Sequence, residues 1–305
     1  MSVNEAAAIL RAGGLVAFPT ETVYGLGADA ANPLAVARIY EAKGRPQFNP
    51  LIAHVLSIAD AEAHADLPAN ARKLAAAFWP GPFTLVVTRR AESSVCELAC
   101  AGLSTIALRA PSHPMARELL AAFGGPIVAP SANRSGHVSA TTAAHVAADL
   151  AGRVDLVLDG GASPIGLEST IVAVDDAGAA TLLRPGAISR DAIEAIIGPL
   201  ATPAPHTIAA PGMMESHYAP RARLRLDADA PRPGEAFLAF GAAAPAGGAT
   251  LSAHGDLVEA VVNLYAALRA LDASGAETIA VAPIPASGLG EAIRDRLARA
   301  AAPRG

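Results

Sequence analysis

Only two cysteines, Cys96 and Cys100, occur in the 305 residues. Two thiols cannot build a disulfide framework of the secreted kind or a four-thiolate zinc site. At their C-x-x-x-C spacing they read as ordinary reduced thiols. Aromatic residues are scarce, 4% with a single Trp, which argues against a surface that stacks RNA bases. Positive charge is not in excess: 23 Lys and Arg stand against 28 Asp and Glu, a net charge of −5. A protein that coats polyanions is disfavoured, while a local basic cleft is not. No apolar run of about 18 residues is free of charge or proline. The nearest, 257–271, is interrupted by Glu259, Asn263 and Arg269 and reads as an amphipathic helix, so no membrane partner is expected. The first five residues, Met1 to Glu5, hold no basic stretch followed by an apolar one, so no signal peptide is expected and the cytoplasm is the expected compartment.

Familiar catalytic loops are missing too. The chain has no G-x-x-x-x-G-K-[ST], no H-E-x-x-H and no G-x-S-x-G, and no G-x-G-x-x-G follows its first expected strand. A phosphate site here would rest on dispersed cations and hydroxyls.

Apolar residues make up 52% of the chain and charged residues 17%, enough for a sizeable core. Short β-branched runs alternate with Ala-rich stretches over the first two thirds. Strands are expected at 15–18, 51–55, 83–88, 105–109, 126–129, 154–158, 169–174 and 181–183. Helices are expected at 3–12, 33–42, 57–65, 69–78, 114–123 and 141–150, with Asn32-Pro33 and Thr141 or Thr142 as starts. This mixture implies an α/β domain with a mixed sheet over 1–200. Residues 198–214 are charge-free and carry Pro199, Pro203, Pro205 and Pro211. Proline at that density favours extended backbone, so 201–222 reads as a linker arm. Strands at 237–240 and 278–282 alternate with helices at 256–271 and 288–300, which predicts a small parallel α/β domain over 223–305.

Four polar segments fall where strands are expected to end, the usual ligand edge of an α/β sheet. Pro19-Thr20-Glu21-Thr22-Val23-Tyr24-Gly25-Leu26-Gly27 is a binding loop, or a turn that satisfies its own hydroxyls. Lys43-Gly44-Arg45-Pro46 ends a helix, where cations suit the dipole; the same backbone would aim an ammonium and a guanidinium at one polyphosphate. Asn49 and His54 follow it. Pro130-Ser131-Ala132-Asn133 offers short side chains that donate and accept, for a ligand or for an Asx or Ser turn. Gly166-Leu167-Glu168-Ser169-Thr170 combines with Arg184, a phosphate partner or a surface residue. Arg109 closes another strand and suits a bidentate hold on a carboxylate.

Together, P-T-E-T-V-Y-G-L-G (19–27), K-G-R-P (43–46), N-P-L-I-A-H (49–54), P-S-A-N (130–133), G-L-E-S-T-I-V (166–172) and L-R-P-G-A-I (183–188) resemble the YrdC-type threonylcarbamoyl-adenylate synthase family. The arm A-P-G-M-M-E-S-H-Y-A-P (210–220) and the tail domain resemble its long, two-domain form, with Met214-Glu215-Ser216 where a basic residue is often seen. The resemblance implies a YrdC-like twisted mixed α/β sheet with a concave cleft. It implies that L-threonine, bicarbonate or CO2, and ATP give L-threonylcarbamoyl-adenylate and pyrophosphate. The product would pass to a separate tRNA threonylcarbamoyl-transferase complex that modifies the adenosine beside the anticodon.

By residue-wise match, Thr22, His54, Arg109, Ser131 and Ser169 would face threonine, with Arg109 on its carboxylate. Arg45, Asn49, Thr105, Asn133, Thr141, Arg184 and Tyr218 would face ATP, and Lys43 and Arg45 would neutralise its phosphates. Mg2+ is expected to arrive with the triphosphate and not in a protein cage. The arm is expected to close over the cleft so that Tyr218 shields the nucleotide from water. Two rivals compete. A non-catalytic RNA-binding module, or weak RNA binding beside catalysis, lacks a Lys/Arg-rich stripe to support it. A carbamoyl-transfer relative from hydrogenase maturation needs cysteine-rich zinc modules that two cysteines cannot supply.

Overall fold

The computed structural model describes residues 2–204 and 209–303; Pro205 of the expected arm lies outside the described residues. In chain order the first unit contains α1 (Val3–Arg11), β1 (Val16–Phe18), β2 (Gly25–Asp29), α2 (Pro33–Lys43), β3 (Ile52–His54), α3 (Ile58–Glu62), α4 (Ala69–Phe78), β4 (Phe83–Thr88), β5 (Thr105–Arg109), α5 (Pro114–Phe123), β6 (Ile127–Val128), α6 (Ala143–Leu150), β7 (Leu156–Val157), β8 (Thr170–Val174), β9 (Ala180–Arg184) and α7 (Arg190–Ile197). Its strands form one mixed sheet in the order β7-β1-β2-β6-β3-β5-β4-β8-β9. The pairs β1/β7, β3/β5 and β4/β8 are parallel and the others antiparallel.

Local chemistry sets the ends of the elements that carry the site. Asn32 accepts the Leu34 and Ala35 N–H groups at the start of α2, and Pro33 occupies its first turn. Gly44, at φ 60°, ends α2 in the left-handed conformation, which turns the chain between Lys43 and Arg45. Thr142, the second of the two threonines considered, caps α6 by accepting the His145 N–H.

Strand alternation divides the sheet into two faces. Ala53, Leu85, Leu108, Val172 and Leu182 belong to the main core with residues of α2 and α4. Their neighbours Ile52, Val86, Ala107, Ile171 and Leu183 belong to a smaller cluster on the other face. There Ala210 and Met213 of the arm complete the apolar layer.

The second unit contains β10 (Arg223–Arg225), β11 (Ala236–Ala239), β12 (Ala249–Thr250), α8 (Leu257–Ala273), β13 (Thr278–Val281) and α9 (Leu289–Ala301). Its sheet, β10-β13-β11-β12, is parallel throughout. The core of this unit is continuous with Val23, Val138, Leu167 and Tyr218 from the rest of the chain.

The mixed sheet and the parallel second sheet are those expected from the sequence. Three differences are instructive. Gly25-Leu26-Gly27, expected within a loop, opens β2. Glycine is rare in strands, but a Cβ at Gly27 would stand 2.8 Å from the Phe18 ring; glycine lets β2 lie against β1. The helix α7 and the short strands β10 and β12 were not anticipated. Finally, His54 and Arg109 do end their strands, but the cavity between them lies over the face of the sheet beneath the arm.

Candidate active site

Parallel pairing of β3 and β5 sets His54 opposite Arg109. Both side chains reach a cavity also lined by Thr22, Ser131, Ser169, Arg45, Arg184, Glu168, His217 and Tyr218. All five residues assigned to threonine, and three of those assigned to ATP (Arg45, Arg184 and Tyr218), are thereby brought together. Lys43, Asn49, Asn133, Thr141 and Thr105 are not part of the lining. Asn49 and Asn133 are nevertheless buried beside it. Both amide atoms of Asn49 and the Oδ1 of Asn133 have no hydrogen-bond partner among the described residues. A buried polar atom left unpaired signals a group that receives a ligand or water. Thr141 has its Oγ1 3.3 Å from His145 Nδ1. Thr105 opens β5 opposite Thr88, at the other end of the strand from Arg109.

The cations fall into two groups. Arg109 Nη2 meets Glu21 Oε1 at 2.6 Å, and its Nε donates to the Gly81 carbonyl. Burial pushes the Glu21 carboxyl up, but the Arg109 charge and N–H donors outweigh it and leave the pKa below the usual value. Glu21 thus fixes half of the guanidinium fork and leaves the rest for a carboxylate. Lys43, Arg45 and Arg184 form the second group and are held by uncharged oxygens. Lys43 Nζ donates to the carbonyls of Ser131 and Asn133. Arg45 donates to the carbonyls of Asn49 and Pro50 at 3.2 and 2.9 Å. Arg184 donates to the carbonyls of Ser169 and Pro211 and to Ser169 Oγ. Burial lowers the pKa of all three, to about 10 for Arg45. Lys43 therefore braces the Pro130–Asn133 segment against the end of α2.

Glu168 apart, the remaining polar lining groups are neutral. Burial, with Arg109 nearby, holds His54 at about 3, and its Nδ1 has no partner among the described residues. Burial, with Arg45 nearby, holds His217 at about 3 as well. Thr22 Oγ1 lies 2.8 Å from Thr20 Oγ1, and Ser169 Oγ lies 2.8 Å from Thr84 Oγ1. Tyr218 is buried with its hydroxyl unpaired among the described residues. The arm turns at Gly212, φ 83°, where a Cβ would stand 2.3 Å from that hydroxyl and 2.9 Å from Arg184. Any larger residue would push Tyr218 and Arg184 apart.

Glu168 was not assigned a role from the sequence. Its Oε1 accepts from Ser139 at 2.5 Å, and its Oε2 accepts from Tyr265 at 2.7 Å and Arg296 at 2.9 Å. Burial raises its pKa, but Arg296 and then Arg184 bring it down to about 2. His217, Tyr265 and Arg296 were also missed. The available signal was Arg296 within the buried stripe Ile293, Leu297 and Ala300 of α9, since a charge inside an apolar helix face needs a partner.

With the arm in place, the cavity measures about 40 Å3. Ligand pockets usually run to about 300–1,000 Å3, so this arm position leaves too little room for a nucleotide. Among the described residues, no cluster of three or more His, Cys, Asp or Glu could hold a metal ion. No helix among them is long and apolar enough to cross a membrane.

Residues 8–186 match the Sua5–YciO–YrdC family model, described as telomere recombination. Residues 188–302 match the threonylcarbamoyl-AMP synthase C-terminal domain. A threonylcarbamoyl-AMP synthase of Bacillus subtilis (strain 168) is 40% identical over 325 residues, covering 99% of this chain and 93% of its own. The protein of that name from Pyrococcus abyssi (strain GE5 / Orsay) is 41% identical over 321 residues, covering 98% and 93%. A crystal structure of P. abyssi Sua5 complexed with L-threonine is similar with a TM-score of 0.90 at 38% identity, covering 98% of this chain and 94% of that one. The chain belongs to the Sua5–YciO–YrdC family and carries the C-terminal domain of its threonylcarbamoyl-AMP synthases.

Proposed function

We propose that this chain is a threonylcarbamoyl-AMP synthase, joining L-threonine, bicarbonate or CO2, and ATP into L-threonylcarbamoyl-AMP with release of pyrophosphate. One observation carries the reading: a single cavity unites Arg45 and Arg184, held by neutral oxygens and without an ion-pair partner among the described residues, with the hydroxyl, imidazole and guanidinium set assigned to threonine. The threonine amine attacks the carbon of CO2, losing a proton, or of bicarbonate, with loss of water, to form a carbamate. A carbamate oxygen then attacks the α-phosphorus of ATP, and pyrophosphate leaves. No protein nucleophile is needed, so catalysis rests on positioning and charge stabilisation.

Arg109 takes the threonine carboxylate on the part of its fork that Glu21 leaves open. Neutral His54, with Thr22, Ser131 and Ser169, seats the amine and hydroxyl. Arg45 and Arg184 stabilise the phosphates, while Lys43 adds positive charge from behind the Ser131–Asn133 backbone. The unpaired Asn49 amide and the unpaired Asn133 Oδ1 form hydrogen bonds with the nucleotide. Thr105 and Thr141 are nucleotide contacts on the family resemblance alone. Tyr218, with the arm, excludes water from a carbamate and a mixed anhydride that both hydrolyse readily. Mg2+ neutralises triphosphate charge when bound. The nearby carboxylates Glu21 and Glu168 are already engaged by arginines, so the triphosphate and water would hold the ion. The product then goes to a tRNA threonylcarbamoyl-transferase complex.

The test is pyrophosphate release from ATP with threonine, bicarbonate and Mg2+ each omitted in turn. Release that requires all of them supports the proposal. Release without threonine, or salt-sensitive RNA binding with no release, overturns it.

A further inference from the structure

Among the described residues, three ion pairs join the tail domain to the first unit, and one of them, Arg296–Glu168, lies beside two aromatic contacts to the arm. Arg296, on α9, is fully buried, as is Tyr265 on α8. The Arg296 guanidinium lies 4.9 Å from the centre of the Tyr218 ring, in cation–π geometry. Its Nε donates to Glu168, its Nη1 to Asp295 at 2.5 Å and its Nη2 to the Pro185 carbonyl at 3.0 Å. Tyr265 stacks on the opposite partner of this contact, 6.0 Å from Tyr218, and donates its hydroxyl to Glu168. Arg299, one turn further along α9, donates to the Met214 carbonyl at 2.6 Å, and its own carbonyl accepts the His217 N–H. The arm from Met214 to Tyr218 is thus held by α9 at both ends.

Tyr218 itself has φ 61°. A bulky residue adopts that left-handed conformation only where its surroundings impose it. Among the described residues, the groups against its ring are His217, Tyr265 and Arg296, and two of the three belong to the tail domain. Glu168 precedes Ser169, whose carbonyl and hydroxyl both accept from Arg184.

We propose that Arg296 and Tyr265 are positioning residues for the nucleotide half of the site, seating the strained Tyr218 and Glu168 so that the arm closes in one geometry. The tail domain thereby acts in the reaction without touching a substrate. This rests on the synthase reading and on the placement of Tyr218 at the nucleotide. Arg296→Met keeps most of the side-chain volume but removes the ion pair and the cation–π contact. Tyr265→Phe removes a single hydroxyl from the same carboxylate.

The experiment measures kcat and both KM values on the full chain, together with the thermal midpoint. Arg296→Met is expected to raise KM for ATP at least tenfold and leave KM for threonine within twofold. Tyr265→Phe is expected to raise KM for ATP threefold or more. Combining Arg296→Met with Tyr218→Ala should give clearly less than the product of the two single effects, because part of the Arg296 effect passes through the Tyr218 ring. A purely structural role would lower the thermal midpoint and leave the split between the two KM values unmoved; that result overturns the proposal, as does full additivity in the double variant. If Arg296→Met does not fold, Tyr265→Phe decides alone, and a smaller than threefold rise overturns the proposal. A wild-type chain that releases no pyrophosphate overturns the synthase reading, whereas an active wild type with unmoved variants overturns this inference only.

Discussion

His54 provides a test in which sign and size both follow from the structure. Burial, reinforced by the Arg109 charge, places its pKa at about 3, against 6.5 for an ordinary histidine. As pH falls, the unfolded chain therefore takes up the proton first. The stability due to His54 is fully present above about pH 6.5 and is lost progressively toward about pH 3. Between about pH 7.5 and 5.5 the folded imidazole stays neutral while the unfolded one gains about 0.8 of a proton, a loss of about 1.4 kcal/mol. Trp79, the single tryptophan, packs on the main core of the same unit and donates its indole N–H to the Phe83 carbonyl. Urea unfolding followed by its fluorescence reports on the domain that contains His54. Histidines 64, 113, 145 and 217 are also lowered by burial and act with the same sign, so the informative quantity is a difference. Wild type should lose about 1.4 kcal/mol more than His54→Gln between the two pH values. Equal losses would refute a buried, neutral His54 and with it the imidazole's assignment as an uncharged partner for threonine.

Two further substitutions probe the phosphate half of the cavity and its cover. Lys43→Ala and Arg45→Ala should each lower turnover by at least about tenfold, about 1.4 kcal/mol of transition-state stabilisation. Lys43→Ala should also lower the thermal midpoint, because its ammonium ties Ser131 and Asn133 to α2; steady-state rates and a melting curve check both, and unchanged rates in both variants remove the clamp. Tyr218→Ala should release pyrophosphate in excess over accumulated threonylcarbamoyl-AMP, since water then reaches the labile intermediates; a one-to-one ratio at the wild-type rate would show that the arm tyrosine excludes nothing.

The residues that meet in the cavity were more legible in the sequence than the way they are held. Strands β4 and β5 and helices α2, α4 and α5 are periodic enough to be placed within a residue or so. By contrast, β2 opens on Gly25-Leu26-Gly27, and its glycines answer to the Phe18 ring on a neighbouring strand, a tertiary demand that local propensity cannot express. The same limit applies to partners. Arg109 was legible as a carboxylate clamp, and Glu21 was visible in its loop, but their pairing at 2.6 Å depends on the strand order that joins residues 88 positions apart. Arg296 is further away still, 128 residues from Glu168. Its only local trace is a charge in an apolar stripe.

Those pairings explain how a chain with net charge −5 can offer a positive cavity. Arg109 and Arg296 are each matched by a buried carboxylate, so they contribute direction more than net charge. Lys43, Arg45 and Arg184 are satisfied by carbonyl and hydroxyl oxygens. Such oxygens supply hydrogen bonds without neutralising the cation, and in a water-poor interior the remaining charge acts at short range with little screening. The desolvation of these three groups is a standing penalty on the folded chain, and a polyanion is the partner that relieves it. Arg45, Arg109 and Arg184 line one cavity with Glu168, and Glu21 holds Arg109 through its Nη2. A guanidinium oriented by a carboxylate beside cations held by neutral oxygens is the combination that the proposed zwitterion and triphosphate call for.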